Sequence, residues 1–488
     1  MNQNQLNYTK ILLLITIIIV CVSSTMLLFI FLKGYFRSDD FWHIVDNRRL
    51  EEISQKLFIK QRDNFYRPLG EIVITLEYKI FNIYPIGYYI INLMLYLINL
   101  GFILLILQLI TQNILIGLIN VILFALQINI YIWQVSWATN VFNLISMLFI
   151  LISLAFYINF EHKSILIFIL VPIPYLLGLL SKEISIITIF LFIGVDILLR
   201  RKRLKLLNSL LYYLTFIIVM KIYFFLRMKA DVLFLPSSYK PTIGINVLNN
   251  ALFHASQLGF LPLVIFIIYV IMYRRYPELR LEEREKRFIY FGLLWAVLGV
   301  LPVLTMAWHS PTHLYTPAFG TTIAASVLCT KILTHSPPKR SWQILAAGLT
   351  AYVLVLSLGL GWQLEQVRFL KWGEYTKGAL QGLKTLHPSL VSETTVYFLD
   401  RDFDKPYGMR RLFGSGFKEA VQLWYNDFSL KAYYFNESQF LELFNKLNSD
   451  NHPILFFEYT EGIVRELKPE DIKALRQATG TTEELLLP

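Results

Sequence analysis

The stretch KILLLITIIIVCVSSTMLLFIFLKGYFRSDD, residues 10–40, joins a long apolar run to a pair of acidic residues. Its apolar part, residues 10–33, is longer than the roughly 20 residues that cross a bilayer core as a helix. Asp39 and Asp40 follow where the membrane surface would lie. Carboxylates are costly at such a position unless the protein pairs or uses them. The stretch therefore predicts a membrane helix that delivers a carboxylate pair to one membrane face.

The composition of the whole chain is typical of a polytopic membrane protein. Of 488 residues, 56% are hydrophobic and 16% are charged, and the mean hydropathy is +0.52. Soluble domains average about 25% charged residues. Continuous apolar runs favour helices, because the strands of a barrel would alternate over about 10 residues. We expect about 11 transmembrane helices, at residues 10–33, 87–110, 114–132, 141–160, 164–181, 184–199, 206–226, 257–273, 288–307, 314–334 and 342–362.

The distribution of basic residues predicts the orientation of these helices. The net charge is +11, and cytoplasmic loops of membrane proteins carry the excess of lysine and arginine. With the spans given above, residues 200–205, 274–287 and 339–340 lie on one side together with Lys10 and Lys163. We therefore expect a multi-pass protein of the plasma (inner) membrane with a cytoplasmic N-terminus. No soluble face combines basic and aromatic residues, so a nucleic-acid partner is not expected.

The same charge rule divides the segment 164–199 into two helices. Lys163 and the basic cluster that begins at Arg200 should both be cytoplasmic, so an even number of crossings must separate them. The chain then turns near residues 181–183 on the outer face. This assignment brings Lys182 and Glu183 to the same membrane face as the aspartate pair.

The outer face is predicted to carry two further units. The first is a loop, residues 34–85, in which apolar and charged residues alternate as in helices that lie in the membrane interface. The second is the tail, residues 363–488, which is no longer continuously apolar. It predicts strands over 394–399 and 453–459 and helices over 412–425 and 440–447. We therefore divide the chain into a transmembrane domain, residues 1–362, and an extracytoplasmic α/β domain.

The two aspartates are expected to have different roles. Neighbouring residues on a helix point about 100° apart, so we do not expect both carboxylates to face the same group. One could take a proton from an acceptor hydroxyl. The other could bind the acceptor, hold Arg37 or Arg67, or ligate a divalent metal, although no cofactor is certain. The pair could also simply cap a helix or stay solvated at the interface.

Four further positions carry candidate functional side chains on the outer face. Lys182 could face the phosphate of a lipid-linked donor, or extend to the interface with Glu183 as its counter-ion. His313 and Tyr315, between two predicted spans, could donate hydrogen bonds to a phosphate or a sugar. Trp137 could stack on a sugar or belong to the aromatic belt of the interface.

Six short segments stand in an order and spacing that resemble one known family. They are residues 38–41 (SDDF), 66–69 (YRPL), the helix from Tyr88 to Asn99, residues 135–137 (VSW), 180–183 (LSKE) with Asp196 downstream, and 313–317 (HLYTP). Through them, residues 1–330 resemble the GT-C superfamily of polyprenyl-phosphate-sugar-dependent glycosyltransferases. The chain looks most like the branch of the protein O-mannosyltransferases and the transmembrane tetratricopeptide O-mannosyltransferases.

The resemblance implies a GT-C-like helical membrane fold and an inverting transfer of a mannose-like sugar to an acceptor hydroxyl on the extracytoplasmic face. Asp39 or Asp40 would be the base. The donor phosphate and the substrates would be bound by Arg67, Lys182, Glu183, His313, Tyr315 and Trp137. The tail lacks tetratricopeptide repeats, so the acceptor could be a protein, a lipid or a polysaccharide. The family pair is Asp-Glu, and the Asp-Asp pair therefore leaves the identity of the base open.

Two other functions fit the predicted spans. A transporter or flippase of lipid-linked sugars would carry charged residues in mid-membrane and often has inverted repeats, and the sequence has few of the former and no clear repeat. A scaffold subunit of an envelope-assembly complex would use the tail for docking. Membrane lipids are expected partners under all three readings.

Overall fold

The computed structural model describes residues 3–48, 56–58, 62–159, 167–200, 206–232, 240–307, 309–335, 348, 369–446 and 453–479. Within these ranges the chain is almost entirely helical from α1 (Gln3–Lys33) to α14 (Tyr315–His335). The α-helices between them are α2 (Asp39–Asp46), α3 (Pro68–Phe81), α4 (Pro85–Thr111), α5 (Ile114–Ala125), α6 (Ile128–Val135), α7 (Val141–Asn159), α8 (Ile167–Leu170), α9 (Pro172–Ser181), α10 (Thr188–Gly194), α11 (Leu206–Lys229), α12 (Ile245–Arg275) and α13 (Glu283–Leu304).

Several of these helices support an integral membrane protein. Among the described residues, α4, α7, α12, α13 and α14 are long and apolar enough to cross a membrane. Helices α5 and α6 form a further candidate, but they meet at an angle of 73°. The predicted span 114–132 is therefore not one straight helix, because the backbone leaves helical geometry at the buried Gln127. The total number of spans stays a prediction, and the last predicted span, residues 342–362, lies outside the described residues.

The predicted turn near residues 181–183 is present. Helix α9 ends at Ser181, and Lys182 is extended with φ −161° and ψ 142°. A 3₁₀ turn, Glu183–Ile187, then leads into α10. The chain therefore presents Lys182 and Glu183 at a break between two helices, where their side chains and backbone are not confined to a helix surface.

Buried amides attach α4 to the loop that precedes α7. The Asn92 side chain donates a hydrogen bond to the Trp137 carbonyl oxygen at 2.9 Å. Two turns further along α4, the Asn99 side chain donates to the carbonyl oxygen of Leu144, within α7 itself, at 3.0 Å. Interhelical amide hydrogen bonds of this kind fix helices relative to one another within a membrane. They hold the loop that carries Trp137 in one position.

The described part of the tail forms a small α/β unit. Its four strands are β1 (Thr395–Asp400), β2 (Lys431–Phe435), β3 (Ile454–Thr460) and β4 (Ile463–Glu466), in the sheet order β2-β1-β3-β4. Strand β1 is parallel to β2 and β3, and β4 is antiparallel to β3. Its helices are α15 (Phe369–Leu386), α16 (Met409–Leu412), α17 (Phe417–Tyr425), α18 (Glu437–Lys446) and α19 (Pro469–Thr479). Helices between parallel strands are expected, because parallel neighbours need a crossover connection.

The two central strands of this sheet match the predicted strands over 394–399 and 453–459, and α17 and α18 match the predicted helices. Strands β2 and β4 were not expected from the sequence. They are the edge strands, and large side chains such as Tyr433 and Ile463 are exposed there. Edge strands of this kind lack the buried apolar run that marks a central strand of a parallel sheet.

Candidate active site

The aspartate pair begins α2, and its two carboxylates face different surroundings. Asp39 is partly exposed, and its Oδ1 atom accepts a hydrogen bond from the indole Nε1–H of Trp137 at 2.9 Å. Both residues lie in the first turn of the helix, where the backbone dipole favours negative charge. Asp39 therefore combines access to solvent with a fixed orientation.

Asp40 is completely buried. Its Oδ1 atom accepts from the backbone N–H of Thr139 at 3.0 Å, and its Oδ2 atom accepts from the backbone N–H of Arg37 at 3.3 Å. Burial and the neighbouring Asp39 raise the pKa of Asp40 to about 7, against the opposing effect of these hydrogen bonds. Asp40 thus connects α2 to the loop before α7, and the prediction of separate roles for the two aspartates agrees with this geometry.

Arg67 and Glu183 form a two-point ion pair. Nε and Nη2 of Arg67 lie 2.9 and 2.8 Å from the two carboxylate oxygens of Glu183. Burial acts to raise the pKa of Glu183, but the charge and hydrogen bonds of Arg67, together with the neighbouring Lys182 charge and a backbone hydrogen bond, outweigh it and lower this pKa to about 2. Glu183 therefore stays ionised and holds the guanidinium in a fixed plane, as bidentate pairs do.

Lys182 is placed beside this ion pair. Its ammonium donates a hydrogen bond to Oδ1 of Asn143 on α7. Burial, and secondarily the positive charge of Arg67, lowers the pKa of Lys182 to about 7. The lysine therefore sits in a site that an added negative charge would stabilise.

A histidine–glutamate pair completes this group of charges. Nδ1 of His43 lies 2.9 Å from Oε1 of Glu71, and both side chains are buried. The other oxygen of Glu71 accepts from the Asn47 side chain. Burial would lower the pKa of His43, but the Glu71 carboxylate outweighs burial and raises it. The pair was not predicted from the sequence, although His43 follows Asp39 at the i,i+4 spacing that brings side chains together on a helix.

One cavity of about 240 Å³ connects these groups. Five of the predicted site residues line it: Asp39, Arg67, Trp137, Lys182 and His313. His43 also lines the cavity, and so does Ser415 from the C-terminal α/β unit. Aromatic rings contribute much of the remaining wall, at Trp42, Phe65 and Phe142. The cavity thus combines a carboxylate, several nitrogen groups and flat apolar surfaces.

Three predicted residues lie away from the wall of this cavity: Asp40, which is buried as described above, Glu183 and Tyr315. Glu183 acts on it through Arg67. Tyr315 is buried in the helix packing, where its hydroxyl accepts from the Asn99 side chain at 3.1 Å and its ring packs edge-on against Phe124. This position favours a structural role for Tyr315 over the predicted contact with substrate.

The described residues contain no group of three or more His, Cys, Asp or Glu side chains placed to share a metal ion. Asp40 directs its two oxygens to backbone N–H groups. Asp39 therefore faces the cavity without its neighbour, and the pair does not present two carboxylates to one ion. The predicted divalent metal at this pair stays an untested prediction.

The overall fold is that of two crystal structures of ArnT from Cupriavidus metallidurans. The structure bound to undecaprenyl phosphate is 11% identical with a TM-score of 0.52, and the apo structure is 12% identical with a TM-score of 0.53. In both comparisons 94% of this chain and 94% of the other chain are covered. No family model matches the chain, and no curated protein matches it in sequence. The likeness shows that the chain shares the fold of these two structures, whereas membership of the GT-C superfamily and of its O-mannosyltransferase branch stays a prediction.

Proposed function

We propose that the chain is an integral membrane glycosyltransferase that uses a polyprenyl-phosphate-linked sugar as donor. The observation that carries the proposal is the single cavity in which the Asp39 carboxylate, the Lys182 ammonium and the Arg67 guanidinium meet. A transferase of this kind needs a base for the acceptor hydroxyl and fixed positive charge for the leaving phosphate. The crystal structure of ArnT with undecaprenyl phosphate, which has the same fold, supports a carrier of this type.

The proposed reaction is one displacement at the anomeric carbon of the sugar. Asp39 accepts the proton of the acceptor hydroxyl as that oxygen forms a bond to the anomeric carbon. The bond from this carbon to the phosphate oxygen breaks at the same time, and its electron pair leaves on the polyprenyl phosphate. Because attack and departure occur on opposite faces, the configuration is inverted. No nucleotide-sugar site is required, and the bonds made and broken in this step balance without a further co-reactant.

The remaining residues have supporting roles in this proposal. Lys182 binds the phosphate, and Arg67, held by Glu183, adds a second fixed positive charge. Positive charges placed before the reaction stabilise the leaving group without reorganisation. Trp137 orients Asp39 through its indole N–H. The mannose-like identity of the sugar rests on the family resemblance, and the aromatic wall of the cavity is compatible with a sugar ring.

The test compares the two neighbouring aspartates. The purified protein in membranes is given radiolabelled polyprenyl-phosphate mannose or glucose, with native envelope extract as acceptor, with and without chelator. We expect Asp39→Asn to lower transfer by a factor of about 10² to 10⁴, the usual contribution of a general base. Asp40→Asn should lower transfer far less, because its amide oxygen still accepts a hydrogen bond from one of the two backbone N–H groups.

Transfer that survives intact in Asp39→Asn would remove Asp39 as the base. Equal losses in both variants would indicate that the pair acts as one unit and would contradict the separate roles. A chelator-sensitive reaction would restore the metal at the aspartate pair. A transporter would instead move labelled donor across proteoliposomes when no acceptor is present, and a scaffold would lose its function on deletion of the tail while both aspartate variants stay active.

A further inference from the structure

The C-terminal α/β unit contacts the start of α2 through one tight turn, residues 413–416. The backbone N–H of Ser38 donates to the Leu412 carbonyl oxygen at 2.9 Å. The rings of Phe41 and Phe413 lie 5.8 Å apart. Within the unit, the Tyr434 hydroxyl donates to the Gly414 carbonyl oxygen at 2.7 Å. The turn is therefore attached both to its own sheet and to the residue that precedes Asp39.

The turn fits against Ser38 only because it contains glycine. A Cβ atom on Gly416 would lie 2.2 Å from the Ser38 carbonyl oxygen, and one on Gly414 would lie 2.6 Å from the Ser38 hydroxyl. Gly414 also has φ +48°, a conformation that residues with a side chain rarely adopt. The backbone of the turn and the backbone of the aspartate segment are thus in direct contact.

A second contact fixes the same two parts of the chain. Nε of Arg62 lies 2.7 Å from Oδ2 of Asp46, at the end of α2. Nη1 of Arg62 lies 2.7 Å from Oε1 of Glu419, a buried residue of α17. One guanidinium therefore ties the last residue of α2 to the C-terminal unit, while the glycine turn holds the first residues of the same helix.

Between these two contacts, Ser415 lines the cavity together with Asp39. The cations for the donor phosphate come from the helical part of the chain, Lys182 from the break between α9 and α10. A polyprenyl carrier must keep its chain in the bilayer, so its phosphate reaches the cavity from the helices. With the C-terminal unit on the aqueous face, as the sequence predicts, an acceptor that approaches from that face meets this unit first. Ser415 is the side chain of the turn that such an acceptor would contact beside Asp39.

We propose that Ser415 is an acceptor-binding residue, and that the C-terminal α/β unit forms the acceptor side of the active site. This inference rests on the proposed function. The serine hydroxyl can both donate and accept a hydrogen bond, and it binds a polar group of the acceptor next to the hydroxyl that loses its proton to Asp39. Ser415 takes no part in bond formation, so its removal acts on acceptor binding and leaves donor binding unchanged.

The experiment measures half-saturation separately for donor and acceptor with the full-length protein. Labelled polyprenyl-phosphate sugar is varied at fixed envelope extract, and the extract is then diluted at fixed donor. Loss of one hydrogen bond corresponds to about a fivefold change in binding. We therefore expect Ser415→Ala to raise the half-saturating extract concentration about fivefold and to change the donor value less than twofold. In Ser415→Phe the ring should fill the acceptor side of the cavity and lower transfer more strongly than Ser415→Ala does. The amount of labelled donor that the protein retains should not change.

Two control variants show whether a substitution merely damages the protein. Ser438→Phe places the same ring on an exposed serine of the same unit, and Gly101→Ala adds a methyl group where no atom lies within 4 Å. Both variants should transfer sugar at the rate of the unchanged protein. In size-exclusion chromatography in detergent, both should elute at the same volume as that protein. The inference would be overturned if both Ser415 variants kept the half-saturating acceptor concentration of the unchanged protein. It would also be overturned if the half-saturating donor concentration rose by the same factor as that of the acceptor. Neither result would contradict the proposed transferase activity. An unchanged protein that transfers nothing from either donor would instead overturn the proposed function, and the inference with it.

Discussion

The two ends of helix α7 each lie beside a hydrogen-bonded network around a partly buried aspartate, and they differ in what the network leaves open. The helix has 19 residues, so its ends are about 28 Å apart at 1.5 Å per residue. At its start, Asp39 accepts one indole N–H and faces a cavity that Lys182 and Arg67 also line. At the other end, Asp196 is surrounded by groups of the chain itself.

Asp196 accepts hydrogen bonds from the hydroxyls of Tyr157 and Tyr213, the latter at 2.7 Å. Arg200 lies 3.4 Å from its other oxygen and also donates to the Tyr157 carbonyl oxygen. Both oxygens of Asp196 thus have partners within the protein. Similar residue types therefore serve two purposes: the Asp196 network ties helices together, whereas the Asp39 network faces a cavity in which we propose that the substrates bind.

Of the predictions that compare the two ends of α7, the largest concerns the loss of transfer when the cation at each end, Lys182 or Arg200, is removed. Lys182→Met removes a positive charge that binds the leaving phosphate, and loss of one such group lowers rates by about 10² to 10³. Arg200→Met removes the cation of the Asp196 network, and it should leave transfer within about threefold while lowering the thermal unfolding midpoint. Radiolabel transfer and thermal unfolding in detergent, measured on both variants, check the pair.

A strong loss of transfer in Arg200→Met, with the unfolding midpoint unchanged, would contradict the purely structural role of the Asp196 network. It would mean that the Asp196 end of α7 also takes part in the reaction. A weak effect of Lys182→Met would leave Arg67 as the principal cation. The double variant Lys182→Met with Arg67→Met distinguishes these cases, because the two cations line the same cavity and should not act independently.

The sequence was informative wherever a charge interrupts an apolar pattern. Asp39, Lys182 and the helix break beside it were predicted, since a charged residue at a membrane surface is conspicuous. His43 with Glu71, and Ser415, were not predicted. These residues come from separate elements of the chain, and only the tertiary fold brings His43 and Ser415 to one cavity and Glu71 to His43. The bend between α5 and α6 was missed for a similar reason, because the apolar run continues on both sides of it and the buried polar residues Gln127 and Asn129 are the marks it leaves in the sequence.

A smaller effect is expected from pH. Burial lowers the pKa of Lys182 to about 7, so the lysine is charged below pH 7 and increasingly neutral above it. The charged form binds the donor phosphate. The half-saturating donor concentration should therefore be nearly constant at low pH and rise about fivefold between pH 7 and pH 8, as the charged fraction falls. Initial rates at varied donor concentration across this range provide the measurement.

The matched variant for this prediction is Lys182→Arg, because a guanidinium stays charged throughout the range. Its half-saturating donor concentration should not rise above pH 7. Asp40 titrates in the same range with a pKa of about 7, but it does so in both proteins, so the difference between the two profiles isolates Lys182. The same rise in Lys182→Arg would assign the pH dependence to another group.

The smallest expected effects concern the aromatic side chains that donate hydrogen bonds to Asp39 and to Asp196. Trp137→Phe removes the N–H that orients Asp39, and we expect transfer to fall about threefold, the equivalent of one modest hydrogen bond. Tyr213→Phe removes a hydroxyl that binds Asp196, and it should lower the unfolding free energy by about 1–2 kcal/mol with transfer within twofold. If Trp137→Phe instead destabilised the protein without slowing transfer, the indole would belong to the packing of its loop, and the orientation of Asp39 would depend on the helix start alone. Transfer rates and unfolding midpoints of the two variants, read side by side, decide between these roles.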